Sequence, residues 1–473
     1  MFLRQIYDDA LAQAAYMVGC QKSGEALVID PERDIDRYHE LAAAHGLKIV
    51  AVAETHIHAD FVSGAQEFAA DPNVTIYLSS LGGEDWSYHW PTSEHRVHSL
   101  KDGDRFMIGN VEIQAIHSPG HTPEHMSYLI IDRGSGADQP VAIGTGDFLF
   151  VGDVGRPDLL ESAAGVAGAM EPSARTLQGS LAQRLANLPD FVQVLPGHGA
   201  GSACGKALGA LPSSTVGYER LYNGALRLAQ NDAQGFVQEI LAGQPEPPLY
   251  FKRMKHVNRD GITVTGGVPE CAQLDPSALK SIVGRDGVQV LDARADRAAF
   301  ERTHLQGSVC APLAGGSLVN SAGSFLTGEE EIVLVVDNPV HVDEAVRQLY
   351  RIGFDRFAGW VTWADAQSSG LPVQPQEVIE FDQYAPETLP AGTRILDVRT
   401  VTEHNEGHLP HAIHIPYTRL RDRLSELSTD VPYAVYCASG RRASLSASFL
   451  RSIGYRVVLL NGDGSNHFAR SAA

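Results

Sequence analysis

Two stretches of this chain repeat one another at a distance of 105 residues: Val290-Leu291-Asp292-Ala293-Arg294 and Ile395-Leu396-Asp397-Val398-Arg399. Downstream, His304-Leu305-Gln306-Gly307-Ser308 parallels His408-Leu409-Pro410-His411-Ala412. Short apolar runs follow at Ile332 to Val336 and at Tyr433 to Tyr436. Each leads into a helix-like stretch, ending in Arg351-Ile352-Gly353-Phe354 or Ser452-Ile453-Gly454-Tyr455. A period this long exceeds the roughly 20–50 residues of solenoid repeats, so it marks the tandem duplication of a small domain. Apolar strands alternating with amphipathic helices predict parallel α/β units.

The duplication leaves a large first segment. Two Pro-rich stretches, Gly243-Gln244-Pro245-Glu246-Pro247-Pro248 and Gly370-Leu371-Pro372-Val373-Gln374-Pro375, resist both helix and central strand. They divide the chain into 1–250, 270–370 and 378–473. That agrees with the count of about three domains that 473 residues suggest. In the first segment strands are expected at Ala26–Ile29, Lys48–Ala53, Val74–Leu78, Val111–Ile116, Ser127–Ile131 and Phe191–Leu195, with a helix at Ala174–Leu188. This predicts an α/β layered domain with its polar clusters at strand ends.

Those clusters are rich in histidine: twelve of the nineteen histidines precede residue 260. Where strand Lys48–Ala53 opens into a loop comes Glu54-Thr55-His56-Ile57-His58-Ala59-Asp60-Phe61. Alternate residues of an extended chain point the same way, so His56, His58 and Asp60 are expected to converge. Ser118-Pro119-Gly120-His121-Thr122-Pro123, Gly144-Thr145-Gly146-Asp147 and Pro196-Gly197-His198-Gly199 each add one ligand-type residue beside Gly or Pro. A lone histidine is usually structural, but four such clusters in one domain predict a metal site.

This set resembles the metallo-β-lactamase superfamily, whose usual pattern is His-x-His-x-Asp-His followed by single His, Asp and His ligands. The resemblance spans roughly residues 1–250 and implies an αββα sandwich with the metal at the sheet edge. The last His of the first motif is Phe61 here, which argues against a two-metal hydrolase. Thr55-His56-Ile57-His58-Ala59-Asp60, the Pro119-Gly120-His121-Thr122-Pro123 element and the run from Thr145 to Asp158 look like the persulfide dioxygenases of this superfamily. That likeness implies one mononuclear Fe(II) held by His56, His121 and Asp147, with open positions for O2 and substrate. Zinc, which is redox-inert, is the alternative metal. His58 and Asp60 then orient the ligands, and His198 hydrogen-bonds in the pocket wall. Arg156, close to Asp158, is a brace beside the metal loop or an anion contact, with a salt bridge fixing that loop as the plainer role. His117 and His125 are read as satisfied or solvent-facing.

The five cysteines are Cys20, Cys204, Cys271, Cys310 and Cys437, without CxxC spacing. This disfavours a disulfide scaffold and a paired-cysteine zinc site, and points to thiols in a reducing, cytoplasmic compartment. Cys204, in a Gly-rich loop six residues after His198, is either a pocket thiol that assists sulfur handling or a small buried hydrophobe. Cys437-Ala438-Ser439-Gly440-Arg441-Arg442 lies between an expected strand and helix. A ring of backbone N–H groups and the helix dipole favour a thiolate there, and the two arginines add positive charge. The loop resembles the rhodanese active-site motif Cys-x-x-Gly-x-Arg. Asp397-Val398-Arg399, Glu403, Gly407-His408-Leu409-Pro410 and Ile415-Pro416 match other marks of that fold. Six residues from Cys437 to Arg442 suit sulfur, where related phosphatases use a longer loop. The middle copy has Asp337 in place of Cys437, and Pro339 removes one N–H from the cradle, so it reads as an inactive homologue.

The expected architecture is therefore α/β throughout: a metallo-β-lactamase αββα sandwich followed by two rhodanese-like domains, the first without its nucleophile. The resemblances imply oxidation of a low-molecular-weight persulfide by O2 to sulfite and thiol. Cys437 would then move sulfane sulfur between persulfide and sulfite or thiosulfate. The carrier thiol is open among glutathione, cysteine, coenzyme A and bacillithiol, and a homo-oligomer is left open. One rival is a zinc-dependent glyoxalase II-like thioester hydrolase fused to a sulfurtransferase. The other is a sulfur-carrier or sensor scaffold. With 57 acidic against 37 basic residues the net charge is −20, which disfavours nucleic acid as a partner. No stretch approaches the ~20 apolar residues of a membrane helix. Asp8 and Asp9 stand where a signal peptide would need its apolar core.

Overall fold

The computed structural model describes residues 1–162, 168–206 and 208–468. It divides into two compact units: Met1–Pro247 with Phe251–Gly267, and Pro248–Tyr250 with Val268–Ala473.

The first unit is built on two six-stranded sheets. One runs in chain order through Phe2–Asp8, Gln13–Cys20, Glu25–Ile29, Lys48–Ala53, Thr75–Ser79 and Val97–Leu100. The other runs Ser214–Thr215, Gln193–Pro196, Ala142–Gly146, Met126–Asp132, Val111–His117 and Arg105–Ile108. Side-chain alternation decides how they layer. Tyr16 and Val18 of the first sheet meet Tyr128 and Ile130 of the second in a shared core. The intervening Ala15 and Met17 face outward, under helices Asp36–Ala44 and Ala65–Ala69. Leu129 likewise faces outward, against helices Met170–Arg184, Gly224–Asn231 and Ala233–Leu241. The result is the αββα sandwich.

The expected strands are present, shifted by a residue or two; Lys48–Ala53 matches in full. The expected helix Ala174–Leu188 begins earlier, at Met170, and ends at Arg184. The first compact unit also extends beyond the expected edge at residue 250. Helix Tyr250–Asp260 follows the Pro-rich stretch, and its Asn258 side chain donates to the carbonyls of His58 (2.8 Å) and Phe61 (2.7 Å) and accepts from Ser63 N–H (2.9 Å). Three hydrogen bonds to one buried amide tie this helix to the first histidine loop.

The second unit holds two all-parallel sheets. One is ordered Val309–Cys310, Val288–Asp292, Glu331–Val336, Phe357–Thr362. The other is ordered Ile413–His414, Arg394–Asp397, Tyr433–Tyr436, Val457–Asn461, Val378–Glu380. The first four strands of each correspond in order and direction. The repeated Asp-x-Arg motif also folds alike in both. Arg294 bonds both carboxylate oxygens of Asp292 at 2.8 Å and the Thr303 carbonyl at 2.7 Å. Arg399 bonds both oxygens of Asp397 and the Gly407 carbonyl at 2.7 Å. The second Pro-rich stretch also contributes structure, since Val373–Gln374 pairs antiparallel with His304–Leu305.

Asp397 and Arg399 are both buried. Removing one partner of such a pair strands the other charge. Asp397→Ala is expected to lower the stability of the second unit by about 3–5 kcal/mol, read as a shifted urea midpoint. A shift equivalent to less than about 1 kcal/mol, the value of a surface pair, would contradict that role.

Candidate functional site

Four ligand-bearing loops leave the same edge of the sandwich. Strand Lys48–Ala53 delivers His56, Val111–His117 delivers His121, Ala142–Gly146 delivers Asp147, and Gln193–Pro196 delivers His198. His56, His121 and Asp147 are buried, and one ligand atom from each lies within 4.8 Å of the others.

Hydrogen bonding fixes which ring nitrogens face this point. His121 Nδ1 lies 2.9 Å from the Arg156 carbonyl, which only accepts, so Nδ1 carries the proton and Nε2 is a bare lone pair. Thr55 Oγ1 donates to Asp30 at 2.8 Å and so accepts from His56 Nδ1 at 2.9 Å, leaving His56 Nε2 bare as well. Burial holds both imidazoles below the usual histidine value, hence neutral. Asp147 Oδ1 is bonded to His198 Nδ1 at 2.8 Å, while Oδ2 has no hydrogen-bond partner and stands 3.5 Å from His121 Nε2. A buried carboxylate oxygen facing a lone pair is repulsive unless a cation lies between them. The three donors therefore fit a metal with His, His and carboxylate ligands. Gly155 permits the crowding: a Cβ there would lie 1.7 Å from the Asp147 carbonyl.

The expected convergence of His56, His58 and Asp60 does not occur. Beyond Ala53 the chain leaves the sheet, so alternation no longer holds, and the three side chains enter three different clusters. His58 Nε2 sits between Asp30 (3.2 Å) and Glu54 (3.0 Å), with its ring 4.3 Å from that of Phe61. Asp60 bonds His198 Nε2 at 2.6 Å and groups with Cys204. Burial would depress the His198 imidazole, but Asp147 and Asp60 on either side prevail and raise it to about 10. His198 thus acts as a charged bridge that orients Asp147. The Arg156 guanidinium is spent on both Asp158 oxygens (2.8 and 2.7 Å) and on the Ala203 carbonyl (2.8 Å). It forms the salt bridge rather than an anion contact, while its own carbonyl holds His121. Cys204 is buried, and burial beside Asp60 and Asp147 pushes its thiol well up.

Several orienting residues escaped sequence reasoning. Thr55 and Asp30 fix the His56 tautomer. His125, read as merely satisfied, accepts the Asp147 N–H at 3.1 Å and hydrogen-bonds Ser118. Glu124 accepts the Ile57 N–H at 2.7 Å and so braces the first loop from the second. Only Thr55, beside His56, carried a local signal; Asp30 is 26 residues away in sequence.

In the second unit Cys437 follows strand Tyr433–Tyr436 and precedes helix Arg441–Ser452. Its Sγ is buried and accepts the Ala443 N–H at 3.4 Å. Gly440, at φ 81°, makes the turn; a Cβ there would lie 1.9 Å from Asn461 Oδ1. The two arginines, expected to add positive charge to this loop, both have partners. Arg442 forms two 2.6 Å bonds to Glu403, whose carboxyl is held below its usual value by Arg442 against the opposing effect of burial. Arg441 bonds Ser317 Oγ at 2.9 Å and the Gly315 carbonyl, both in the segment that precedes this sheet. At the matching position Asp337 pairs with His341 at 2.8 Å.

The metallo-beta-lactamase superfamily model matches residues 8–198, and the rhodanese-like domain model matches residues 383–466. The chain belongs to the metallo-beta-lactamase superfamily through its N-terminal domain and carries a rhodanese-like domain at its C-terminal end. Persulfide dioxygenase ETHE1, mitochondrial, of Bos taurus is 27% identical over 252 residues, 52% of this chain and 84% of that protein. Cytoplasmic hydroxyacylglutathione hydrolase of Arabidopsis thaliana is 30% identical over 186 residues, 39% of this chain and 62% of that one. A solved metallo-beta-lactamase from Staphylococcus aureus subsp. aureus COL is 36% identical and covers 76% of this chain and 99% of its own, with a TM-score of 0.67. Among the described residues no helix is long and apolar enough to cross a membrane.

Metal analysis after dialysis tests the cluster. His121→Ala is expected to abolish stoichiometric binding. His198→Ala should keep the three donors yet lose about 10–100-fold in affinity, the usual cost of removing an orienting partner. Unchanged affinity in both variants would place the metal elsewhere.

Proposed function

We propose that the N-terminal domain oxidises a low-molecular-weight persulfide at a mononuclear iron held by His56, His121 and Asp147. The observation that carries this reading is the donor set: two neutral imidazoles and one bare carboxylate oxygen, with apolar Phe61 where a further histidine would serve a second metal. Non-haem Fe(II) so held supplies O2 activation at its open positions. The balanced reaction is RSSH + O2 + H2O → RSH + SO3²⁻ + 2 H⁺.

The chain's own residues set up this chemistry by position and charge. The Arg156 carbonyl and Thr55 keep both imidazole protons turned away from the metal point. His198 and His125 fix Asp147 from its side chain and its backbone. Cys204, beside Asp60 and His198, is placed to assist sulfur handling as a neutral thiol.

In the C-terminal domain, Cys437 attacks the terminal sulfur of a second persulfide and releases RSH. The Cys437 persulfide then gives that sulfur to sulfite, forming thiosulfate and restoring the thiol; the reverse direction uses the same intermediate. Ala438, Ser439, Gly440, Arg441 and Arg442 form the cradle. Residues 270–370 are read as a degenerate rhodanese-like copy: the strand order and Asp-x-Arg clamp recur, while Asp337 cannot carry a persulfide. A reducing, cytoplasmic setting suits these thiols.

Iron and zinc reconstitution decides the main reading. Iron-loaded protein is expected to consume one O2 per glutathione persulfide. Activity only with zinc, as thioester hydrolysis without O2 uptake, would favour the hydrolase that the Arabidopsis relative suggests. Cys437→Ser should retain O2 uptake while sulfite accumulates in place of thiosulfate. A persulfidated Cys437 that never yields thiosulfate would instead support a sulfur carrier. Unaltered rates of both steps in Cys204→Ser would remove Cys204 from the chemistry.

A further inference from the structure

The two arginines that follow Gly440 have partners of different kinds. Arg442 is ion-paired with Glu403, so its charge is largely neutralised. Among the described residues Arg441 bonds only neutral groups: its Nε donates to Ser317 Oγ at 2.9 Å and its Nη2 to the Gly315 carbonyl. A hydroxyl and a carbonyl orient a guanidinium without cancelling its charge. Two donors of one planar fork are held, which fixes the plane of the group. Arg441 is otherwise exposed, so its remaining N–H groups are open to a solute beside the Cys437 loop.

The groups that hold it come from far back in the chain, within the same compact unit. Ser317 lies 124 residues before Arg441 and is buried. Gly315 and Gly316 precede it at φ 62° and 69°, in the left-handed region that favours glycine. This turn brings the carbonyl and the hydroxyl to one guanidinium. The helix that carries Arg441 is seated on the same segment. Ser448 Oγ accepts the Cys310 N–H at 2.9 Å, and Ser444 Oγ lies 3.8 Å from Cys310 Sγ. Positions 441, 444 and 448 are spaced three and four apart, so all these contacts fall on one helix face. Both the base and the tip of Arg441 are therefore fixed from the segment that precedes its sheet.

We propose that Ser317 is a positioning residue for sulfur transfer: with the Gly315 carbonyl, it aims the Arg441 charge at the anionic acceptor that approaches Cys437. This rests on the sulfur-transfer reading above and deepens it, because it gives the Asp337-bearing segment a part in a reaction whose sulfur it does not carry. In that step a lone pair of sulfite attacks the outer sulfur of the Cys437 persulfide. The S–S bond breaks with its electron pair on Cys437, and thiosulfate leaves. Sulfite approaches a chain of net charge −20. A cation held at the loop offsets that repulsion more than one that swings freely in water.

The test uses the full chain, persulfidated with glutathione persulfide, freed of excess donor and kept without O2. It is mixed with sulfite, and the second-order rate constant of thiosulfate release is measured. Ser317→Ala is expected to lower that constant about fivefold. Ser317→Thr, which keeps a hydroxyl, should restore most of the loss. Arg441→Met should lose at least as much, and adding Ser317→Ala to it should change nothing further, because Ser317 acts through Arg441. Discharge by 2-mercaptoethanol, which brings no charge beyond its reacting sulfur, should stay within about twofold in Ser317→Ala. An unchanged sulfite constant in Ser317→Ala, a further loss in the double variant, or an equal loss with 2-mercaptoethanol overturns the proposal, since a packing role neither discriminates by charge nor depends on Arg441. Ser317→Gly gives the same comparison should the alanine variant not fold. Wild-type protein that forms no thiosulfate would instead overturn the sulfur-transfer reading itself.

Discussion

Asp147 is the residue on which the N-terminal site depends. Its carboxylate is buried, with one oxygen bonded to His198 and the other turned toward the bare Nε2 of His121. Two electron-rich atoms confined that closely need a cation. The surrounding structure maintains the demand rather than relieving it. The Arg156 carbonyl keeps the His121 proton on the far nitrogen, Thr55 and Asp30 do the same for His56, and His125 holds the Asp147 backbone. None of these residues need touch a metal, yet each removes an arrangement in which the cluster could neutralise itself by moving a proton.

The same constraint explains the separation of the three motif side chains. His58 is drawn to Asp30 and Glu54, and Asp60 to His198. Phe61 is fully buried, with its ring against that of His58. The cluster of His56, His121 and Asp147 is one of three groups among the described residues that could hold a cation. The loops that define it come from four strand ends on two sheets, so the sandwich core is a condition of the chemistry.

How much of this was legible in the sequence follows from the range of the forces involved. The strands were legible because alternation and apolar runs are local; Lys48–Ala53 and Tyr433–Tyr436 match in full. Gln13–Cys20 was not read as a strand because all eight residues are buried and no period of two survives. The donors His56, His121 and Asp147 were legible because Gly and Pro flank ligand chemistry at strand ends. The direction of each side chain beyond the strand was not, since it depends on partners such as Asp30, Asn258 and His198 that only the fold brings near. The arginines after Gly440 show the same limit. Their charge is plain in the sequence, but its expenditure on Glu403 and on Gly315 and Ser317 is not.

That last pair of contacts has a consequence for how the chain can diverge. The loop that carries Cys437 is moored, through Arg441, to the Gly315 carbonyl and the Ser317 hydroxyl of the preceding segment. Drift at Gly315 or Ser317 therefore alters the mooring of the Cys437 loop more than a hundred residues away. The segment with Asp337 thus holds in place a loop that it does not contain, so a change in the one segment is felt at the cysteine of the other.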